Sequence, residues 1–191
     1  MTSYSGDDLY GEDLGDRTYE ECSFFDVDLT EATSQGARFE QCTFGNVRFN
    51  ASRHTDSAFL RCTFKRCNFF EAEFTGCKLM GSSFTECELR PLTVHNGDWS
   101  FVSLPGSNLR GVTFRGVRLR EADLSGANLS EAVLADCDLA AAVLRGINLS
   151  KADLRGSDLS ALDVASANLR GARITADQAV VVASLLGFDI S

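Results

Sequence analysis

The residues best equipped for chemistry in this sequence are seven cysteines, which could bind a metal ion or form disulfides. A thiolate metal site needs two to four cysteines close together, commonly at C-x2-C spacing, and no pair here has that spacing. The count is odd, and Ala or Ser occupies equivalent positions, which argues against a disulfide framework. We interpret the cysteines as small buried side chains, and we predict no metal site and no cofactor. They are Cys22, Cys42, Cys62, Cys67, Cys77, Cys87 and Cys137.

A histidine is the second candidate, because an imidazole can act as a base or contact a partner. His54 stands in Ser-Arg-His-Thr-Asp, and no nucleophile accompanies it. Its role is open between a partner contact and a local distortion that turns the ring outward. The sequence also has no glycine-rich phosphate loop and no Ser/His/Asp or Cys/His arrangement. We therefore expect no enzymatic activity and no small-molecule substrate.

A five-residue repeat positions all of these residues. From Leu9 to Ile174 every fifth residue is apolar or aromatic at 34 consecutive positions, except for Ser34 and His54. We call these the central positions. The companion position, two residues earlier, holds Ala, Cys, Ser, Val, Leu or Ile from Cys22 to Ala172, except at Gly97. A period this regular over nearly the whole chain indicates a repeat architecture with one domain.

The period of five fits neither standard element. On an α-helix five steps advance by about 500°, which scatters the central residues around the axis. On a straight strand an odd step sends successive central residues to opposite faces. A short strand followed by a quarter turn fits, and the glycines that recur two residues after the centre suit corners with positive φ. Four units then make a square coil of about 20 residues, and coils stack at about 4.8 Å.

Phrases such as Ala-Asp-Leu-Ser and Ala-Asn-Leu-Ser in unbroken register resemble the pentapeptide-repeat family. The resemblance implies an all-β solenoid, a right-handed quadrilateral β-helix, which here ends in a short C-terminal α-helix. We divide the chain into a flexible leader (residues 1–6), a pentapeptide-repeat β-helix (residues 7–174) and a capping and dimerisation helix (residues 175–191). Between a Phe-rich and a Leu-rich half, we expect Gly97 to make room for the Trp99 indole. The sequence leaves a cis or trans bond at Pro91 open.

The C-terminal segment departs from the repeat. Thr175 and Gln178 form a capping box, and Gly187 can end the helix. The residues between them are apolar on nearly every face, which is more than one coil end can cover. We predict a homodimer through the C-terminal helices, with a monomeric cap as the alternative. The predicted dimerisation residues are Val180, Val181, Val182, Leu185, Leu186 and Phe188.

Charge is distributed unevenly around a net value of −9. Residues 7–31 carry −9, residues 32–120 carry +5, residues 121–163 carry −5 and residues 164–191 carry 0. Such a chain is a poor ligand for nucleic acid, so we expect no direct nucleic-acid binding. A dimer joined at the C-termini would bring two −5 segments together, as an array of carboxylates for a basic partner. The predicted partner-binding acids are Glu121, Asp123, Glu131, Asp136, Asp138, Asp153, Asp158 and Asp163.

Within the family, the chain is similar to the quinolone-resistance branch, of the MfpA and Qnr types. The similar phrases lie at Ser52–Phe64, Arg90–Thr93 and Asp177–Val180. This resemblance implies a dimeric DNA mimic that binds DNA gyrase, a type II topoisomerase, inhibits supercoiling and confers fluoroquinolone resistance. Larger Qnr proteins carry loops that project from the coil and matter for protection of gyrase. The unbroken five-residue register of this chain leaves no room for such loops, which favours inhibition of gyrase over its protection from quinolones. The alternative is a scaffolding solenoid for an unrelated protein partner.

The remaining expectation concerns location. No apolar run approaches the roughly 18 residues that a membrane-spanning helix needs. Residues 1–6 lack the basic and then apolar plan of a signal peptide. We expect a cytoplasmic protein without a membrane partner.

Overall fold

A computed structural model describes residues 2–190 as a β-solenoid with one C-terminal helix, α1 (Ala176–Leu185). No helix in this range is long and apolar enough to cross a membrane. The strands are short because each side of the coil spans one repeat. They are β1 (Ser3–Ser5), β2 (Thr18–Glu20), β3 (Ser23–Phe25), β4 (Thr33–Gln35), β5 (Arg38–Glu40), β6 (Thr43–Gly45), β7 (Arg53–Thr55), β8 (Ala58–Leu60), β9 (Thr63–Lys65), β10 (Ala72–Thr75), β11 (Ser83–Thr85), β12 (Leu92–His95), β13 (Thr113–Arg115) and β14 (Val133–Ala135).

Residues twenty apart pair in parallel, so the chain winds into a coil with four faces. Face 1 holds β1-β3-β6-β9-β11, face 3 holds β4-β7-β10-β12-β13-β14, and face 4 holds β2-β5-β8. Face 2 is joined by single parallel bridges through positions 8–88 and 108–168. Faces 1, 3 and 4 continue toward the C-terminus by similar bridges, such as Asp123 with Val143. The predicted quadrilateral β-helix is confirmed.

The central side chains form stacked columns inside the coil. On face 1, Phe24, Phe44 and Phe64 lie ring over ring, with centroids 4.8 Å apart at each step. Rings on adjoining faces meet edge to face, as Phe39 and Phe44 do at 5.7 Å. Each buried Phe contributes about 1.5–3 kcal/mol through burial, and each well-placed pair about 0.5–1.5 kcal/mol more. Phe therefore specifies the stacking of the first coils as well as filling them.

The cysteines line the same core at the companion positions. Six are buried and Cys87 is half-buried. Their thiols donate to carbonyl oxygens of the preceding coil, as from Cys77 to His54 at 3.2 Å. Burial raises the pKa of the Cys77 thiol to about 11, so this side chain stays neutral. The interpretation as small buried side chains is confirmed.

Most corners share one backbone conformation, in which the residue two after the centre has positive φ whether or not it is glycine. Two residues after the centre, φ is +63° at Gly106, +57° at Asp136 and +60° at Phe101. Among residues 2–190, eighteen non-glycine residues have positive φ, and all occupy this position. The predicted need for positive φ is confirmed, and the stacked coils impose it on residues that would otherwise avoid it.

The coil begins earlier than predicted. Ser3–Ser5 form β1, which pairs with β3, and the Tyr4 ring stacks on Phe24 at 4.7 Å. The prediction of a flexible leader is therefore wrong for these residues, because Tyr4 supplies one more aromatic side chain in the central register. Met1, at the start of the predicted leader, lies outside the described residues, as does Ser191 at the other end.

The junction between the two halves is packed around Trp99. The indole is buried and lies parallel to the Phe84 ring at 6.1 Å. Gly97 is required for a reason other than the predicted one. A Cβ at Gly97, where φ is +91°, would overlap the backbone of Cys77 in the preceding coil. The two main chains approach each other here. The peptide bond before Pro91 is cis.

The C-terminal helix closes the end of the coil and is held there by hydrogen bonds from Gln178. The capping box is confirmed, since the Thr175 hydroxyl accepts from the Gln178 N–H and the Gln178 side chain accepts from the Thr175 N–H. The Gln178 amide also donates to the carbonyl oxygens of Leu154 and Ser157, both at 2.7 Å. Gly187, with φ of +89°, follows the helix as expected. Gln178 thus supplies donors to the last coil.

Candidate partner-binding surface

The eight predicted acids do not form one patch, because the coil distributes them over three faces and three corners. Asp123 and Asp163 lie on face 1, and Asp138 and Asp158 lie on face 4. The other four belong to face 3 and to three corners. Asp153 lies on face 3, Glu121 at the corner of faces 4 and 1, Glu131 at that of faces 2 and 3, and Asp136 at that of faces 3 and 4.

Three of the eight are neutralised by ion pairs. Glu131 receives Arg110 at 3.0 Å and Lys151 at 3.6 Å. Asp138 receives Arg120 at 3.3 Å. Each of these bases lies in the coil next to that of its acid. Adding up the charges of successive segments does not show that the two are paired.

Asp153 is the most strongly neutralised acid of the set. It is 4% exposed and receives Arg155 at 2.7 Å and Arg173 at 3.2 Å. The hydrogen bonds from Arg155 lower the pKa of its carboxyl to about 2, although burial alone would raise it. Asp153 therefore holds the coil together and presents almost no surface to a partner.

The other five acids make no ion pair within the described chain. They are Glu121, Asp123, Asp136, Asp158 and Asp163. All five lie on faces 4 and 1 or at a corner of face 4. The unneutralised carboxylates therefore share one side of the rod.

The basic residues are also distributed unevenly between the faces. Residues 97–174 carry nine acids and nine bases, so their net charge is zero. Faces 4 and 1 of this half hold six acids and three bases, and we call them the acidic side. Faces 2 and 3 hold two acids and six bases, and we call them the basic side. The ninth acid, Asp136, lies at the corner between faces 3 and 4.

The carboxylates just before a centre also shape the corner that follows. Asp123 accepts from the Ser125 N–H at 3.0 Å, and Asp158 accepts from the Ser160 N–H at 2.9 Å. Asn128 makes the same bond to Ser130 at 3.1 Å. Where Asp or Asn occupies this position, its side-chain oxygen accepts from the turn, and the negative charge of Asp is an addition to that role.

The predicted dimerisation residues are mostly free of the coil. Val180, Leu186 and Phe188 are 50%, 58% and 66% exposed. Val181 and Leu185 are also exposed, whereas Val182 packs against the core of its own chain. An apolar cavity of about 150 Å³ remains between Val182 and the last coils. The helix thus leaves a large apolar surface at this end.

His54 faces the core, which decides against an outward ring. It is 1% exposed, stacks on Phe74 at 5.0 Å, and its Nδ1 lies 2.7 Å from the Ser34 hydroxyl. Its Nε2 lies 3.2 Å from the Ser52 hydroxyl. Burial lowers the pKa of the imidazole to about 3, so the ring is neutral. Ser34 and His54, the two polar central residues, are one hydrogen-bonded pair in adjacent coils.

Sequence reasoning missed two features, namely a buried side chain that ties the helix to the coil and an exposed ring on the surface. Gln178 was identified only as half of a capping box, and its bonds to the last coil have no signal in the repeat. Phe101, at the corner of faces 4 and 1, is 51% exposed. A bulky aromatic residue in a corner position was the available signal for it.

Comparison with known proteins agrees with the architecture. A family model of the pentapeptide repeat region matches residues 67–142, and one of eight pentapeptide repeats matches residues 137–175. Together they span more than half of the chain. The chain belongs to the pentapeptide-repeat family. No curated protein sequence matches it.

Solved structures of the family include several of QnrB1, a plasmid-mediated fluoroquinolone resistance protein. One trypsin-treated variant has a TM-score of 0.88 and 19% identity, over 100% of this chain and 98% of that one. The full-length form has a TM-score of 0.65 and 19% identity, over 98% of each chain. At this identity the likeness establishes a shared pentapeptide-repeat fold.

Proposed function

We propose that this protein is a dimeric DNA mimic that binds DNA gyrase and inhibits its supercoiling activity. Fluoroquinolone resistance is the expected consequence in the cell, and the cytoplasm is the expected location. The chain acts by binding and performs no catalysis. The observation that carries the proposal is the segregation of unneutralised carboxylates onto the acidic side of residues 97–174.

A one-sided acidic rod suits a partner that normally holds duplex DNA. Such a partner presents cations along a groove and contacts one side of the duplex at a time. Carboxylates fixed on a rigid coil can meet these cations without any sequence readout. The basic side faces away from the partner in this arrangement, so that it does not oppose binding.

Dimerisation through the C-terminal helices extends this surface. The exposed apolar residues of α1 and Phe188 would be buried against a second copy of the chain. Large apolar surfaces that a single chain leaves exposed commonly mark such interfaces. Two acidic sides would then flank the dyad. The similarity in fold to QnrB1, a fluoroquinolone resistance protein, supports the same assignment.

A supercoiling assay tests the proposal. Purified protein, titrated into DNA gyrase with relaxed plasmid and ATP, is expected to inhibit supercoiling in a dose-dependent and salt-sensitive manner. The same titration with a quinolone present separates protection from inhibition, because protection would reduce drug-induced DNA cleavage. Undiminished supercoiling at a large excess of protein would contradict the proposal and leave the scaffolding alternative.

A further inference from the structure

Phe101 occupies a backbone position that disfavours its side chain. Its φ is +60°, in the left-handed region, where a bulky L-residue is an outlier and Gly or Asn is the usual choice. It is the one aromatic residue among the eighteen non-glycine residues with positive φ in the described chain. Strain of this kind persists where the surroundings impose it, and it is concentrated at sites of function.

The side chain gains little from the fold in return. Phe101 is 51% exposed, whereas the central Phe residues of the coil are almost fully buried. One coil earlier, the same corner is Gly81, which has no side chain to pack against it. The Phe101 N–H donates to the Arg120 carbonyl oxygen at 2.9 Å, a bond that any residue except proline would make. Folding therefore does not account for an aromatic residue at this corner.

Its place on the rod indicates what it could bind. Phe101 lies at the corner where faces 4 and 1 meet, which is the middle of the acidic side. Glu121, one of the five acids without an ion pair, occupies the same corner in the next coil. An exposed aromatic ring beside carboxylates suits a protein surface with an apolar pocket among cations. Duplex DNA offers no such ring, so this contact would go beyond mimicry of its charge.

We propose that Phe101 is the apolar anchor of the partner-binding surface and inserts into a pocket on the cationic surface that the acidic side contacts. This inference rests on the proposed function, since it takes DNA gyrase as the partner. The anchor supplies affinity that salt does not screen, whereas the carboxylates supply affinity that salt weakens. It also discriminates this partner from other basic surfaces that would accept a string of carboxylates.

The experiment compares gyrase binding by three variants and the wild-type protein. Phe101→Asn removes the ring and keeps a residue that the corner accepts, as Asn46 and Asn96 show. Phe101→Trp keeps a large ring. Phe70→Asn is the matched control, because Phe70 is a similarly exposed ring, at 44%, on face 2. Thermal unfolding of each protein checks the fold, and Phe101→Gly serves if Phe101→Asn does not fold.

We expect Phe101→Asn to unfold at the same or a higher temperature than wild type and to bind gyrase at least tenfold more weakly. The loss should be equal at low and high salt. Phe70→Asn and Phe101→Trp should stay within twofold of wild type. If Phe101→Asn also binds within twofold, the anchor is refuted and the proposed function stands. If the wild-type protein itself does not bind gyrase, the proposed function fails, and the anchor fails with it.

Discussion

Asp123 accepts hydrogen bonds from both the N–H and the hydroxyl of Ser125, at 3.0 and 2.6 Å. One carboxylate thus closes a corner of the coil and contributes charge to the acidic side. The two roles can be separated, because Asn128 closes the equivalent corner with its amide oxygen. A test of the charge must therefore preserve the turn.

We predict that Asp123→Asn leaves the stability of the coil nearly unchanged, whereas Asp123→Ala lowers it by about 1 kcal/mol. The alanine leaves the Ser125 N–H without its acceptor, and a bond of this kind contributes about 0.5–1.5 kcal/mol. Urea unfolding of the two variants measures the difference. Equal midpoints would show that the turn does not depend on this bond.

The charge itself is tested by a triple variant, Asp123→Asn, Asp158→Asn and Asp163→Asn. We expect it to fold normally and to inhibit gyrase supercoiling at least tenfold less, because three carboxylates without ion pairs are removed from the acidic side. The control is Asp8→Asn with Asp13→Asn, which changes the same structural position in the first coil. An equal loss of inhibition in the control would indicate that net charge alone matters.

Substitution of Leu186→Lys with Phe188→Lys is expected to give a folded monomer. Both side chains are more than half exposed, so the coil does not need them, whereas an apolar dimer interface would not tolerate two buried charges. Sedimentation or light scattering across a range of concentrations measures the state. A dimer that survives both substitutions would place the interface elsewhere. The control is Asp7→Lys with Asp8→Lys, which adds the same two lysines at the opposite end of the rod.

The buried His54 predicts a decline of stability on acidification. Its pKa is about 3 in the folded chain and about 6.5 when unfolded, so the unfolded state binds the additional proton between these values. Its contribution is fully present above pH 6.5 and falls by about 1.4 kcal/mol per pH unit below it. Urea midpoints from pH 8 to pH 4 measure this slope.

His54→Phe should flatten that part of the profile, because Phe does not titrate and fits the column of rings. Below pH 4 both proteins should lose stability, since the carboxyls of the ion-paired Asp28 and Asp153 have a pKa of about 2 in the folded chain and 3.8 when unfolded, so the unfolded state binds protons first as the pH falls through this range. A variant that keeps the full slope between pH 6.5 and pH 4 would assign it to other groups.

Two glycines with positive φ should respond differently to alanine. Gly97→Ala would drive a Cβ into the Cys77 backbone, so we expect a loss of more than about 2 kcal/mol or failure to fold. At Gly106 the space is open, and Gly106→Ala should cost about 1 kcal/mol from the left-handed backbone alone. Similar losses at both positions would show that the contact with Cys77 relaxes.

The sequence predicted the architecture well because the coil is determined by contacts that recur every five residues. Central residues such as Leu124 and Phe64 show that pattern directly. The capping box of Thr175 is a separate local signal and could also be predicted from the sequence. The pairing across coils was harder to predict. Asp153 meets Arg173 twenty residues away, and a count over segments assigns their charges to different regions. Charge must be sorted by face in each half of the rod before its asymmetry is visible.

The oversights have local physical causes. The role of His54 was open between a partner contact and a local distortion that turns the ring outward, and neither option considered that Ser34 and Ser52 supply its hydrogen bonds in the core. Gly97 was related to its sequence neighbour Trp99, although the close contact lies one coil away at Cys77. Both oversights come from reasoning along the chain about a fold whose contacts run across it.

Because the chain turns by about a quarter at every repeat, the number of repeats before a residue determines which side of the rod that residue faces. Deleting a single five-residue unit would leave the core chemistry of each column intact and rotate everything beyond it by about 90° relative to the coils before it. The acidic side of residues 97–174 would then face a neighbouring direction with no charge altered. Removing twenty residues would shorten the rod and keep every direction. In this family, gain or loss of repeats can therefore re-aim a binding surface without mutating it.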